Sequence, residues 1–374
     1  MHPEPTPGQL EMMGSVRDFL AKEVTLERLT RWEHEPDAAR RELLEPIAEL
    51  GWLGFGTPAD GGGKGGGEGE DEGADFVDAC LLFQEWGHGL LPLQLINAAR
   101  GVHALAELDP ENDLLEELVA GRAVIALAFD EEWSRTPEHY STWIRDGRIE
   151  GTKCYVPNAE SAEYHLVAAR EGDGLSLALV ENRDLRIEPL RGMADDSQAH
   201  VHYEGASILG RIGEPERARA TFERMWLRQR LLALAEMVGG MDWVLDTTVS
   251  YAQERWQFDQ PIGLFQAVRH QAADMATALT ASRHLAYQAI TRSVAGTIES
   301  TEIESALAYV GQAFKRVCWA GHHLHGGAAY VLDHPMHWHS ERAQSYCIRY
   351  TPEAPILQQI AARLLDGGKA ASAL

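Results

Sequence analysis

The run from Tyr251 to Gln266, YAQERWQFDQPIGLFQ, packs an arginine, two phenylalanines, a proline and a glutamine into one short stretch. An arginine such as Arg255 can hold a phosphate-type anion through paired, charge-assisted hydrogen bonds. Phe258 offers an aromatic slab for a flat heterocycle. Further on, Gly326 and Gly327 allow close backbone approach to an anionic ligand. Each feature also has a plain reading: a cation at a helix C-terminus, two core phenylalanines and a turn. A second group, His322, His323, His325, His334, His337 and His339, is crowded enough to raise a metal site. Imidazole is the commonest transition-metal ligand, but zinc sites usually add cysteines or a tighter helical pair, so no metal is assigned. A third candidate is Lys64 within GGGKGGGEGEDEG, from Gly61 to Gly73. A phosphate-cradling loop needs a GK[ST] ending and a flanking strand, and both are missing here. Glycine entropy and nearby carboxylates make it a mobile surface loop instead.

The elements that must position these residues follow from periodicity. Leu10, Met13, Val16, Phe19 and Leu20 share one helix face, and helical patterning continues with interruptions to Gly121. From Ala123 short β-rich runs take over, among them AVIALAF, RIEGTKCYV, YHLVAAR and LSLALVEN, broken by turns such as Arg145-Asp146-Gly147-Arg148. Long helices then run from Met225 to Gln253, Leu264 to Ala295, Ser300 to Leu324 and Pro355 to Leu365. Trp226, Leu231, Leu234, Met237, Val238, Met241 and Leu245 trace a broad stripe on the first of them. The expected fold is α+β: an N-terminal helical domain (1–122), a middle β-barrel or sandwich domain (123–212) and a C-terminal four-helix bundle (213–374).

Composition excludes several classes. With 57 acidic against 33 basic residues, the chain carries a formal charge of −24, which disfavours nucleic acid and anionic membranes. No apolar run reaches a membrane-spanning length. The start, MHPEPTPGQLEMM, lacks the basic and apolar regions of a secretory signal. Cys80, Cys154, Cys318 and Cys347 are scattered and read as reduced, buried thiols, so a cytoplasmic protein is expected.

Arg255, Phe258, Pro261, Ile262, Phe265 and Gln266 resemble the acyl-CoA dehydrogenase signature R-x-x-F-x-x-P-I-x-x-F-Q. His323 to Tyr330, HLHGGAAY, resembles that family's Q-x-x-G-G-x-G-Y turn, with His323 and Ala329 as departures. The order of domains agrees along essentially the whole chain, as do GWLGFGTPADGG and Arg230. The resemblance implies FAD, an acyl-CoA thioester, an electron-transfer acceptor and subunits that lend groups to a neighbour's FAD. It assigns Arg255, Phe258, Gln266, His323, Gly326 and Gly327 to that cofactor and Arg230 to the substrate.

The same resemblance makes the departures informative. Removing an α-proton beside a thioester requires a positioned base. Relatives place its glutamate in a turn before the last helix or just ahead of the Arg230-like arginine; here those positions hold Thr351 and Gln229. Glu353 and Glu236 are the nearest substitutes, both more naturally read as surface residues. Relatives carry T-E-P-x-x-G-S-D and K-x-W-I-T-N-A in the middle domain; here stand Phe129-Asp130-Glu131-Glu132-Trp133 and Lys153 to Ala159. Pro157 replaces a flavin-bonding threonine and has neither hydroxyl nor N–H. The groups that act on a neighbour's FAD are kept, and those that hold a chain's own flavin are lost. The chain is therefore most similar to the non-catalytic type of subunit in heteromeric (α2β2) steroid-degrading acyl-CoA dehydrogenases, whose partner is a second dehydrogenase-like subunit. Two alternatives are a stand-alone flavoenzyme with a relocated base, Glu353, and a flavin-free binding or scaffold protein.

Overall fold

A computed structural model describes residues 5–57, 72–132, 139–194, 197–213 and 217–365. Residues 61–71 of the glycine-rich stretch and Trp133 lie outside the described residues, whereas its last two, Glu72 and Gly73, begin a helix rather than a loop. The chain divides into two compact units, one of residues 32–75 and 92–229 and one of residues 1–31, 76–91 and 230–374.

The first of these is built on a mixed eight-stranded sheet. Its strands are β1 (Ile125–Ala128), β2 (Trp143–Arg145), β3 (Arg148–Pro157), β4 (Tyr164–Glu171), β5 (Gly174–Glu181), β6 (Arg186–Leu190), β7 (Gln198–Ser207) and β8 (Gly210–Arg211). They lie in the order β6-β7-β3-β2-β4-β5-β8, with β1 added in parallel to β4. The turn expected at Arg145 to Arg148 joins β2 to β3, and Asp146 and Gly147 both take positive φ (52° and 72°), as a two-residue hairpin requires. Strand β4 is buried at five consecutive positions, so both of its faces are covered. Helix α5 (Leu93–Leu108) is buried almost all round and approaches β1 at Gly101, where a Cβ would lie 2.6 Å from the Ile125 carbonyl oxygen. Helices α3 (Pro36–Glu49) and α6 (Leu114–Val119) belong to the same unit. Helix α2 (Leu26–His34) straddles the division.

The helical unit contains α1 (Pro7–Glu23), α4 (Glu72–His88) and α7 (Ala218–Glu254) from Arg230 onward. It continues through the hairpin β9 (Trp256–Gln257) and β10 (Gln260–Pro261), then α8 (Gln266–Val294), α9 (Ser300–His325), α10 (Met336–Arg349) and α11 (Glu353–Leu365). The expected N-terminal helices, middle sheet and C-terminal helices are all present. Two features were not expected. Helix α10 buries His339 and Arg342 beside Met336, Trp338 and Tyr346, and a pattern that counts histidine and arginine as polar hides that face. Helix α7 begins at Ala218, seven residues before the expected Met225, so Arg230 sits well inside it. Among the described residues no helix is long and apolar enough to cross a membrane.

Helices α4 and α7 cross at backbone distance. A Cβ on Gly239 would collide with the Gln84 carbonyl and one on Gly87 with the Glu236 carbonyl. On the next face a Cβ at Gly240 would stand 2.6 Å from the Phe314 ring. Gly239→Ala must therefore push the helices apart, and it should destabilise the protein by at least about 2 kcal/mol in denaturant unfolding. A wild-type midpoint would show that the crossing tolerates a methyl group.

Buried neutral histidines set a second limit. His165 donates from Nε2 to the Ala159 carbonyl at 3.1 Å and pairs through Nδ1 with the Tyr203 hydroxyl at 2.9 Å, an arrangement the neutral ring satisfies without burying a charge. Burial lowers its pKa from 6.5 to about 4. Burial, followed by the nearby Arg228 and Arg100 charges, lowers that of His103 to about 3. The unfolded chain takes up these protons first, so stability present above pH 6.5 is lost as pH falls toward 4 and 3. Each histidine should contribute a slope of about 1.4 kcal/mol per pH unit in that window. Unfolding free energy that is flat between pH 6.5 and 4.5 would contradict this.

Candidate active site

Helix α7 stops at Glu254 and the chain turns at once into the short β9–β10 hairpin. Its two-residue tip is Phe258-Asp259, both at positive φ (52° and 64°), which drives the Phe258 ring outward to 87% exposure. Phe258 is therefore on a hairpin tip rather than in a core, and it meets Phe265 edge-on at 6.2 Å. Arg255 lies at the base of this hairpin, exposed, with no side-chain ion pair or hydrogen bond among the described residues. The Ile262 N–H donates to the Arg255 carbonyl at 2.8 Å, which pins the hairpin to the start of α8. Gln266 is the first residue of α8 and is exposed; the Phe265 N-cap provides no side-chain cap there, leaving the first-turn N–H groups open.

The end of α9 arrives at the same place. His323 hydrogen-bonds Gln271 of α8 at 3.0 Å, and Tyr251 of α7 stacks on His325 at 4.5 Å. Gly326 then ends α9 at φ 61° and ψ −141°, a conformation open only to glycine. A Cβ on Gly326 or Gly327 would meet nothing within 4 Å, so the backbone there is open to a ligand. The structure thus brings Arg255, Phe258, Gln266, His323, Gly326 and Gly327 to one end of the helical unit. Exposed Trp256, Leu264, Tyr330, Val331 and Leu332 belong to the same segments.

Of the clustered histidines, only His323 is exposed. His322 bonds Ser340 at 2.7 Å, His325 bonds the Gly321 carbonyl at 2.9 Å, and His339 stacks on Trp243 at 4.4 Å. Their first three members form the last turn of α9 rather than a strand or loop.

Both positions that a base would occupy face inward. Thr351 is buried, and its hydroxyl occupies the space that a side chain at Gly311 of α9 would need. Gln229 is buried and locked to Arg100: the guanidinium donates to its carbonyl at 2.8 Å and its side-chain oxygen at 3.2 Å, and its amide donates to the Arg100 carbonyl at 3.1 Å. Glu353 is exposed in the first turn of α11, where the helix dipole accommodates it. Glu236 is not at the surface. It is buried on α7 and accepts the Tyr346 hydroxyl, because the stripe on that helix closes around it. Nearby, Arg230 donates from Nε to the Tyr350 carbonyl at 3.1 Å. Burial lowers its pKa to about 10, partly offset by Glu304. Glu304 in turn pairs with Arg363 at 3.1 Å.

The middle-domain segment is closed as well. Phe129 is buried edge-on against Phe222 at 5.1 Å. Glu131 accepts the Ser141 N–H at 2.6 Å, the Ser141 hydroxyl at 2.7 Å, the Thr142 N–H at 3.1 Å and the Lys153 ammonium at 2.9 Å. Burial pushes the Glu131 carboxyl up, but Lys153 and these donors outweigh it and hold it at about 2. Burial lowers the Lys153 ammonium to about 8 despite that partner, and the Tyr140 ring covers it at 3.4 Å. Tyr155 takes a positive φ of 55° in an irregular part of β3, next to His200 at 5.4 Å. Sequence reading had no signal for the closure of Glu131, since the Ser141 and Thr142 donors arrive only through the sheet.

Models of the acyl-CoA dehydrogenase N-terminal and C-terminal domains match residues 6–107 and 221–365. The chain belongs to the acyl-CoA dehydrogenase family. Acyl-CoA dehydrogenase IpdE2 of Mycobacterium tuberculosis is 27% identical over 72% of each chain. Among solved structures, the ChsE4-ChsE5 complex from Mycobacterium tuberculosis superposes with a TM-score of 0.86 at 24% identity, over 97% of this chain and 99% of that one. A Tcur3481-Tcur3483 steroid acyl-CoA dehydrogenase variant gives a TM-score of 0.84 at 25% identity, over 96% and 98%. Acyl-CoA dehydrogenases are FAD-dependent oxidoreductases. The end carrying Arg255 and the open glycine backbone fits an anionic dinucleotide. The Glu131 and Pro157 region does not fit a flavin ring: its carboxylate is saturated and its proline offers no donor.

Reinstating a glutamate at position 351 should fail in this acyl-CoA dehydrogenase. Thr351→Glu forces a longer, charged side chain against the α9 backbone and should lower stability by at least about 2 kcal/mol. Wild-type unfolding would show that the side chain can turn outward.

Proposed function

We propose that this chain is the base-less subunit of a heteromeric FAD-dependent acyl-CoA dehydrogenase, assembled as α2β2 with a second dehydrogenase-like subunit. The observation that carries this reading is the division of the chain. The Arg255 end is open and carries an unpaired cation, whereas Thr351, Gln229 and Glu131 are all turned into the protein. A cofactor held by Arg255, Phe258, Gln266, His323, Gly326 and Gly327 would lie mainly on the partner, and the exposed Trp256, Tyr330 and Leu332 suit burial against it. The two-component ChsE4-ChsE5 complex and Tcur3481-Tcur3483 enzyme support a heteromer, and the latter, a steroid acyl-CoA dehydrogenase, supports a bulky, steroid-derived CoA thioester.

Bound FAD would supply a hydride acceptor for the β-carbon as the α,β double bond forms. The α-proton would go to a carboxylate of the partner subunit, since positions 351 and 229 of this chain carry none. This chain's residues bind and orient. Arg255 neutralises the pyrophosphate, the glycine backbone lets it approach, and Arg230 fixes the Tyr350 turn beside the substrate.

The test is flavin content. The chain should purify alone with little FAD, and with its partner at about one FAD per pair of unlike chains. In the complex, Arg255→Ala should weaken FAD binding about ten- to a hundredfold, as expected for one charge-assisted contact. One FAD per chain in the isolated protein would favour a stand-alone flavoenzyme. Colourless protein in both preparations would favour a flavin-free scaffold.

A further inference from the structure

Helix α4 ends at His88, and α7 carries Asp242 and Asp246 one turn apart on a single face. One ligand atom from each of the three lies within 4.8 Å of the other two. Small side-chain rotations bring such a set to the roughly 2.0–2.2 Å at which imidazole nitrogen and carboxylate oxygen bind zinc.

The surrounding charges explain part of this cluster and leave part unexplained. Arg17 pairs with Glu85 and lies 3.6 Å from Asp242, and Arg283 lies 2.9 Å from Asp242. Those two guanidinium groups face three carboxylates, Glu85, Asp242 and Asp246, so one negative charge is left over. Asp246 has no ion pair or hydrogen bond among the described residues, and neither does the half-buried His88 ring. An ion-pair network accounts for Asp242. It gives no reason for an unpartnered imidazole and an unpartnered carboxylate to meet there.

We propose that His88, Asp242 and Asp246 form a site for a divalent first-row transition metal that clamps the end of α4 to α7. One nitrogen and two carboxylate oxygens suit zinc or manganese, with water completing the shell. The chain turns sharply just after His88, with Leu90 at φ 55°, so an ion there would fix the helix end from which that turn departs. The site is separate from the Arg255 end and independent of the proposed heteromer.

The test uses the full-length, tag-free chain after chelator treatment. Calorimetric titration with Zn²⁺ at neutral pH should show one saturable site per chain, and Co²⁺ should develop a visible d–d band. His88→Gln and Asp246→Asn lie at half-buried and exposed positions that tolerate the change, which circular dichroism checks. Each should weaken binding at least about tenfold. A His334→Gln/His337→Gln double variant controls for the histidine-rich segment and should bind as the wild type does. No saturable binding, binding that survives both ligand substitutions, or binding lost in the control overturns the proposal.

Discussion

Backbone contact between α4 and α7 is the constraint on which the helical unit rests. Gly87 and Gly239 let two helices lie closer than any side chain allows, and Gly240 repeats the device under Phe314. Helices at that distance have little freedom to slide, because each carbonyl occupies the space of a missing methyl. Helix α7 carries the chain on from Arg230 to its end at Glu254, a span of about 36 Å at the usual rise per residue. Arg230 within α7 and Arg255 immediately after its end are consequently placed by one helix.

Electrostatics divides the chain a second way. In a protein with a formal charge of −24, many cations find a carboxylate: Arg40 with Glu163, Arg211 with Glu171, Arg224 with Glu107, Lys153 with Glu131. Arg255 does not, even though Glu254 precedes it, because the helix ends there and the hairpin carries its side chain away from the bundle. An exposed guanidinium with no ion pair among the described residues, beside exposed aromatic rings, is well suited to an anionic, flat ligand. By contrast, Arg100 is buried and bonded to Gln229, so a polar amide and a charge stabilise each other inside the protein.

Much of this was legible in the residue order. Periodicity located the strands and the long helices, because a sheet face and a helix stripe each impose their own repeat. The run from Arg255 to Gln266 and the pair Gly326-Gly327 carried the family resemblance, and Thr351, Gln229 and Pro157 left the family's base and flavin-donor positions without a carboxylate or a hydroxyl donor. A threonine, a glutamine and a proline cannot do those jobs in any fold.

Direction and burial were decided only by the tertiary structure. Whether Glu236 faces water or a tyrosine depends on which elements close around α7, and the stripe along one helix cannot reveal its neighbours. Helix α10 escaped notice because His339 and Arg342 are buried through stacking and backbone hydrogen bonds that form only once the helices have packed. Phe258 reaches 87% exposure through two positive φ angles in a hairpin that no propensity marks. The sequence by itself determined which chemical groups the chain possesses. Which of them face outward, and which are already satisfied by one another, was decided by packing, because a hydrogen bond or an ion pair between distant residues exists only when the fold brings both partners together.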